Sequence, residues 1–425
     1  MSKTPNHIKP ISDSRAAAFE ILSLVAAGKG NSDDLLHSSH TAGLSPEDRN
    51  LATTLVLGTL RWQIALDARI RPLLQRPDQR LAEPVAIALR LGAYQLLHLD
   101  RIPPHAAINE SVELARASGN PHATGMVNAI LRKVMAQKAP GVPIYESTAG
   151  LAERLSHPQW LVERWQANYG RDSTLRICVA GQSEPAAPEL FADSSLPDMP
   201  RMDDGSRLVA ELAAAAAPQC TRVWDTCAAP GGKSLILAKR LPVAKIVATD
   251  VSARRLAAMQ ARIAAYPYAA AMRTEVADAT APPESLGSFD LILADVPCSG
   301  TGTLARNPEI RLRLTPPDLS RHARKQRQIL SAALTHLAPG GRLLYSTCSL
   351  EPEECERVVE AVLGEKEFAE AFRLVSVEPL VRELREQGLL TGQLQGAIRG
   401  EYLRTLPGIH PGDGFFAALI ERASS

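Results

Sequence analysis

The chain has 425 residues, 45% of them apolar and 22% charged, with a formal net charge of +1. That length allows two or three domains with separate cores, and that composition excludes a disordered or fibrous protein. Near-neutral charge does not announce nucleic acid globally, so any such site has to be a local patch.

The opening "MSKTPNHIKP" is polar and unlike a signal peptide, and no stretch reaches the ~20 apolar residues of a membrane span. The six cysteines, at 178, 220, 227, 298, 348 and 355, form no C-x-x-C pair. They are too sparse for a disulfide framework or a zinc site, so we expect no metal and a reducing cytoplasm.

From about residue 12 to 138 the pattern is helical. Ser45 is placed to cap a helix, with Pro46 at its first position and Asp48 where a capping-box acid belongs. Leu51, Leu55, Val56 and Leu60 follow at helical spacing, as do Val85, Leu89 and Leu96. "AINESVELARAS" and "MVNAILRKVMAQK" add two more helices, giving a bundle of roughly six with no strand-like alternation. "APGVP", at 139–143, punctuates the chain as a domain boundary. Residues 182–206 carry four prolines and little periodicity and read as loop.

After about residue 207 strands and helices alternate. "TRVWDTCAAPGGKSLILAKR" reads as strand, glycine turn and helix, and "AKIVATD", "FDLILADVP" and "GRLLYSTC" read as further strands with helices between. Near-continuous apolar strands separated by helices predict a parallel sheet covered on both faces. Ligands of such sheets sit at the strands' carboxyl ends, so those loops are where function is sought.

The first of them, "DTCAAPGGKS" at 225–234, ends like a P-loop, but G-x-x-x-x-G-K requires glycine where Cys227 stands. What remains is a small-residue turn that admits a ligand close to the backbone. Asp250 ends the next strand, where a carboxylate can accept both hydroxyls of a ribose. Turn and acid together point to a nucleoside-containing cofactor. Cys298, in "DVPCSGTG", and Cys348, in "YSTCS", end two successive strands. Either thiol alone is more often core than catalyst. Two at the ligand end of one sheet are hard to attribute to packing, whereas Cys178, Cys220 and Cys355 lack that placement and read as structural. Between them, residues 304–327 hold seven Arg/Lys against two acids, by itself as much a solvated face as a run for phosphates.

"DTCAAPGGK", "DVPCSGTG" and "YSTCS" as a set resemble the motifs of the RNA 5-methylcytosine methyltransferases of the NOP2/Sun family. "AINESVELARASGNPHATGMVNAILRK" resembles the last helices of the NusB-like RNA-binding domain fused to one bacterial branch of that family, which acts on small-subunit ribosomal RNA. "GIHPGDGFFAALIER" resembles the final strand of that branch. The resemblance implies an α/β, Rossmann-like class I methyltransferase domain with a parallel-type sheet over 207–425. An all-α NusB-like domain over 1–140 and a linker with a shortened middle segment over 141–206 precede it. It further implies S-adenosylmethionine as cofactor, RNA as partner, and a monomer without membrane or metal. Transfer RNA, or a non-catalytic role in RNA assembly, stays open as an alternative.

By the same resemblance Cys348 is the nucleophile that adds to carbon-6 of cytosine, and Cys298 completes the cycle. Cys227, Ala228, Ala229, Pro230, Gly231, Gly232 and Lys233 wrap the methionine part of the cofactor. Asp250 holds the ribose, Asp278 meets the adenine, and Asp295 contacts cofactor and cytosine. Carbon-5 of cytosine is too poor a nucleophile to take a methyl group unaided, which is why a thiolate is needed. Positive charge near Cys348 favours that thiolate, and Lys233 is a candidate to supply it. Beside a base-modifying site, the 304–327 run reads as the contact for phosphates.

Overall fold

The structure is a computed structural model that describes residues 11–78, 80–137 and 147–424. The chain divides into two units, one made of residues up to 184 with Leu304–Arg313, the other of residues 185–303 with the rest.

The first unit is helical throughout its regular elements, as the apolar spacing requires. Its elements are α1 (Asp13–Ala26), α2 (Ser32–Leu36), α3 (Ser39–Ala42), α4 (Pro46–Ile70), α5 (Glu83–His98), α6 (Pro104–Ala117) and α7 (Thr124–Ala136). Five of these are long and two are single turns, against the rough six expected. Ser45 Oγ accepts from the Asp48 N–H at 3.1 Å, so α4 starts where its sequence places it. Leu55, Val56 and Leu60 of α4 share one core with Val85 and Leu89 of α5 and Ile130 of α7.

Three more helices, α8 (Thr148–Arg154), α9 (Gln159–Tyr169) and α10 (Arg171–Gln182), occupy a stretch expected to be linker. Leu161, Val162, Trp165, Ile177 and Cys178 are buried there, so these residues make core rather than connect it. Each helix is too short to show a sustained period. The boundary expected at 139–143 lies outside the described residues.

Leu304–Arg313, from far along the chain, completes this unit. Arg311 is 2% exposed, and its guanidinium donates to the carbonyls of Arg61 (3.3 Å), Ser156 (3.1 Å), Gly181 (2.7 Å) and Leu304 (3.1 Å). Arg313 donates to the carbonyls of Val25 and Gly30, and the Glu309 carboxylate accepts from the Ser32 N–H and hydroxyl. Leu312 packs against the helical core.

The second unit alternates as predicted. After α11 (Asp204–Ala216) come β1 (Arg222–Asp225), α12 (Gly232–Arg240), β2 (Lys245–Asp250), α13 (Ala253–Ile263), β3 (Arg273–Val276) and β4 (Phe289–Asp295). The chain then visits the first unit, where α14 (Ile310–Arg313) forms one turn. It returns through α15 (Pro316–Thr335), β5 (Leu337–Thr347), α16 (Glu356–Leu363), β6 (Phe372–Val375) and α17 (Glu378–Glu386). β7 (Ile398–Arg399), β8 (Tyr402–Arg404) and β9 (Phe416–Arg422) close the unit.

The strands form one sheet in the order β3-β2-β1-β4-β5-β9-β8-β7, with β6 also paired to β9. β1 to β5 are mutually parallel and β9 runs antiparallel to β5. This is the expected Rossmann-like arrangement with an antiparallel flank. Alternate residues face opposite cores. Val223, Leu291, Leu293 and Leu344 lie in one with α11 and α12, while Trp224, Ile292, Leu343 and Tyr345 lie in the other with α15 and α16. The 182–206 stretch is largely irregular but anchored, since Leu190, Phe191 and Met199 are buried. Among the described residues no helix is long and apolar enough to cross a membrane, and no His/Cys/Asp/Glu group could hold a metal ion.

Candidate active site at the carboxyl ends of the strands

The strand order reverses beside β1, and the loops that leave β1 to β5 all emerge at that end of the sheet. The first runs from Thr226 to Gly231 and is pinned by backbone bonds from Thr226 N to Leu293 O (3.0 Å) and Ala228 N to Thr249 O (2.8 Å). Cys227, Ala228, Ala229 and Pro230 thus pass over the ends of β1, β2 and β4. Gly231 turns the chain at φ +95°, and a Cβ there would lie 2.8 Å from Met259 Cγ. Only glycine meets both demands. Gly232 and Lys233 then open α12.

Lys233 points its ammonium to Asp295 Oδ2 at 2.7 Å and donates to Ser206 Oγ at 2.8 Å. Burial opposes its charge, but Asp295, and after it Cys348 and Asp225, outweigh that cost and raise its pKa above the ordinary value. Asp295 Oδ1 accepts from Ser346 Oγ at 2.8 Å, so the carboxylate bridges the ends of β4, β5 and α12.

Asp250, at the end of β2, is buried. Its Oδ1 accepts from the Ser252 N–H at 2.8 Å, and its Oδ2 pairs with the half-exposed Arg255 at 2.6 Å. Asp278 follows β3 and is exposed. Its Oδ1 accepts from the Thr280 N–H and hydroxyl, which holds the carboxyl below the usual range.

Cys298 and Cys348 leave the neighbouring strands β4 and β5, and their sulfurs stand 3.2 Å apart. The Cys348 sulfur, then burial, keep the Cys298 thiol well above the ordinary cysteine range. Burial pushes Cys178, Cys227 and Cys355 up to about 12 and Cys220 to about 11, which leaves those thiols protonated and inert. The two loops approach too closely for a side chain between them. A Cβ on Gly302 would fall 2.2 Å from the Gly414 carbonyl oxygen and 2.9 Å from that of Cys348.

Sequence reasoning missed three polar contributors. Asp225, at the end of β1, is buried with Oδ2 bonded to Ser234 Oγ at 2.6 Å, and burial lifts its carboxyl to about 7. Ser206 was hidden in a loop of no visible pattern. Glu354 lay in a run of glutamates that reads as the start of a helix. The reading of 304–327 as one basic surface needs correction. Arg311 and Arg313 are spent on backbone carbonyls of the first unit. Arg321, Arg324, Lys325 and Arg327 remain exposed on α15, whereas Arg313, though exposed, is held by its carbonyl partners.

A family model described as 16S rRNA methyltransferase RsmB/F matches residues 213–421, and a NusB family model matches residues 12–136. Ribosomal RNA small subunit methyltransferase B of Xanthomonas campestris is 32% identical, with 97% of each chain covered. Its namesake from Cronobacter sakazakii is 30% identical over 95% of this chain and 97% of its own. Among solved structures, PH0851 superposes with a TM-score of 0.71 at 21% identity, covering 97% of this chain and 99% of its own. That likeness extends the shared fold across both units.

Proposed function

The chain belongs to the RsmB/F family of 16S rRNA methyltransferases, and on that premise we propose that it methylates carbon-5 of a cytosine in small-subunit ribosomal RNA, using S-adenosylmethionine. The observation that carries this reading is the pair of thiols 3.2 Å apart beside the Lys233–Asp295 ion pair. Methylation of a base oxygen or exocyclic nitrogen has no use for two such cysteines.

The residues present fit the cofactor. Gly231 turns the small-residue loop at the end of β1 into α12, and buried Asp225 Oδ1 has no hydrogen-bond partner there. The 227–233 loop would hold the methionine part, Asp250 the ribose and Asp278 the adenine. When bound, the cofactor supplies an electrophilic methyl sulfonium. Lys233 favours the thiolate of Cys348 by its charge, and Asp295 holds Lys233 in place. The Cys348 sulfur bonds to carbon-6, which shifts the π pair of the 5,6 double bond onto carbon-5 and makes it nucleophilic. After methylation carbon-5 gives up its proton, the carbon–sulfur bond breaks, and the double bond returns as Cys348 leaves. Cys298 serves this second half. The target base has to leave any stack to reach the thiols, and the NusB-like unit with the exposed basic residues of α15 would hold the flanking RNA.

Two variants test the reading. Cys348→Ala should be inert and form no adduct. Cys298→Ala should add, accept the methyl group and stall, leaving protein covalently on RNA as a shifted band on a denaturing gel. Trapping by Cys348→Ala instead reverses the roles, and full activity in both variants overturns the covalent mechanism. Bisulfite sequencing of ribosomal and transfer RNA from cells with and without the protein identifies the target. A missing mark confined to transfer RNA would overturn the ribosomal assignment.

A further inference from the structure

Glu354 is fully buried, yet its carboxylate meets four donors and no cation among them. Oε1 accepts from the Ser299 N–H at 2.8 Å and from Gln326 Nε2 at 3.0 Å. Oε2 accepts from the hydroxyls of Ser349, at 2.5 Å, and of Ser299. Ser299 directly follows Cys298 and Ser349 directly follows Cys348, and the two serine hydroxyls are themselves 3.1 Å apart. Gln326, on α15, also donates to the carbonyl of Pro297, the residue before Cys298. A buried carboxylate is costly unless its surroundings fix it, so this one concentrates its hydrogen bonds on the two residues flanking the thiols.

We propose that Glu354 is a positioning residue that clasps the Cys298 and Cys348 loops and sets the separation of the two sulfurs. The inference rests on reading those cysteines as the working pair. Two further bonds join the loops, from Gly302 N to Cys348 O and from Leu350 N to Thr301 Oγ1, and both meet the Cys298 loop beyond Ser299. The carboxylate, with the Ser299–Ser349 hydroxyl contact inside its grip, ties down the residue that follows each sulfur. Its negative charge adds, after the Cys348 sulfur and burial, to what keeps the Cys298 thiol protonated.

Glu354→Gln keeps the shape and one strong acceptor, Ser349→Ala removes one arm, and Glu354→Ala removes the clasp. Thiol spacing is read without any RNA by phenylarsine oxide, whose arsenic–oxygen bond is exchanged for two arsenic–sulfur bonds with loss of water when two thiols are close. Peptide mapping should find Cys298 and Cys348 bridged in the wild type. Bridging should slow about tenfold in Glu354→Ala and less in the other two. Where methyl transfer is measured, kcat should fall about a hundredfold in Glu354→Ala while KM for RNA and cofactor affinity hold. Should Glu354→Ala fail to fold, the two milder variants carry the same comparison. Wild-type bridging rates in the variants overturn the clasp, whatever the activity. Altered bridging with no cytosine methylation by the wild type upholds the clasp and removes the proposed reaction instead.

Discussion

Replacing Arg311 by methionine separates a structural arginine from an RNA-binding one. Methionine fills a similar volume but cannot donate, so four carbonyls lose a charged partner. Arg61 O lies inside α4, where the Ala65 N–H one turn on donates to Ser156 Oγ at 3.3 Å. Gly181 O lies in the last turn of α10, where no later helical N–H reaches it, and its 2.7 Å bond is the shortest of the four. Leaving a buried carbonyl without its donor costs about 1–3 kcal/mol. For a unit of this size that corresponds to a fall of at least about 2 °C in its melting transition. Scanning calorimetry of the full chain should show the helical unit's transition lowered by that amount. Below it, the salt dependence of RNA binding should match the wild type, since the guanidinium touches no phosphate. An unshifted transition, or a shallower salt slope, would refute the reasoning.

Asp250→Ala should weaken S-adenosylmethionine binding about ten- to hundredfold by calorimetry and leave RNA affinity alone, since two hydroxyl contacts to a carboxylate are lost. Unchanged cofactor affinity would remove Asp250 from the site. Reversing charge at Arg324 and Lys325 should lower the salt slope of RNA binding by about 1–2, read by filter binding across a salt series, and an unchanged slope would make α15 a merely solvated face. Asp225 gives a pH dependence. Its folded carboxyl, lifted by burial from 3.8 to about 7, keeps a proton that the unfolded chain releases. Stability therefore falls as pH rises through that window, by at most about 4 kcal/mol. Asp225→Asn should flatten that fall in denaturant titrations between about pH 5 and 8, and a parallel fall in the variant would show that the carboxyl is ionised throughout.

The loops of the candidate site were legible because they follow directly on the ends of plainly patterned strands. Cys298 and Cys348 follow apolar strands whose pattern is plain, and Asp250 ends a third. The helices of 148–182 were not, since seven to twelve residues hold too few turns for a period to stand out. Glu354 shows a different limit. The acid beside it, Glu353, is half-buried and pairs with Arg357 as a surface residue does, and Ser299, fifty-five positions earlier, shows what Glu354 is for. Arg311 misled for the converse reason. Composition places a basic run at the surface, whereas orphan carbonyls in another part of the chain draw one of its members inside. Strands β6 to β8 span two to four residues each and left no alternation to read.

β9 is made after every other strand, yet it lies between β5 and β8 and pairs with β6 as well. Until the ribosome has delivered Phe416–Arg422, β5 has one open edge of unpaired backbone groups and β6 and β8 have no central partner. Gly414, just before β9, also donates its N–H to Gly302 in the Cys298 loop. The strand that delivers Cys348 and the loop that carries Cys298 therefore gain their last supports together, late in translation. A nascent chain holds its two thiols on unfinished structure until the final strand arrives, and a protein truncated before Phe416 would lose the geometry of its chemistry along with the edge of its sheet.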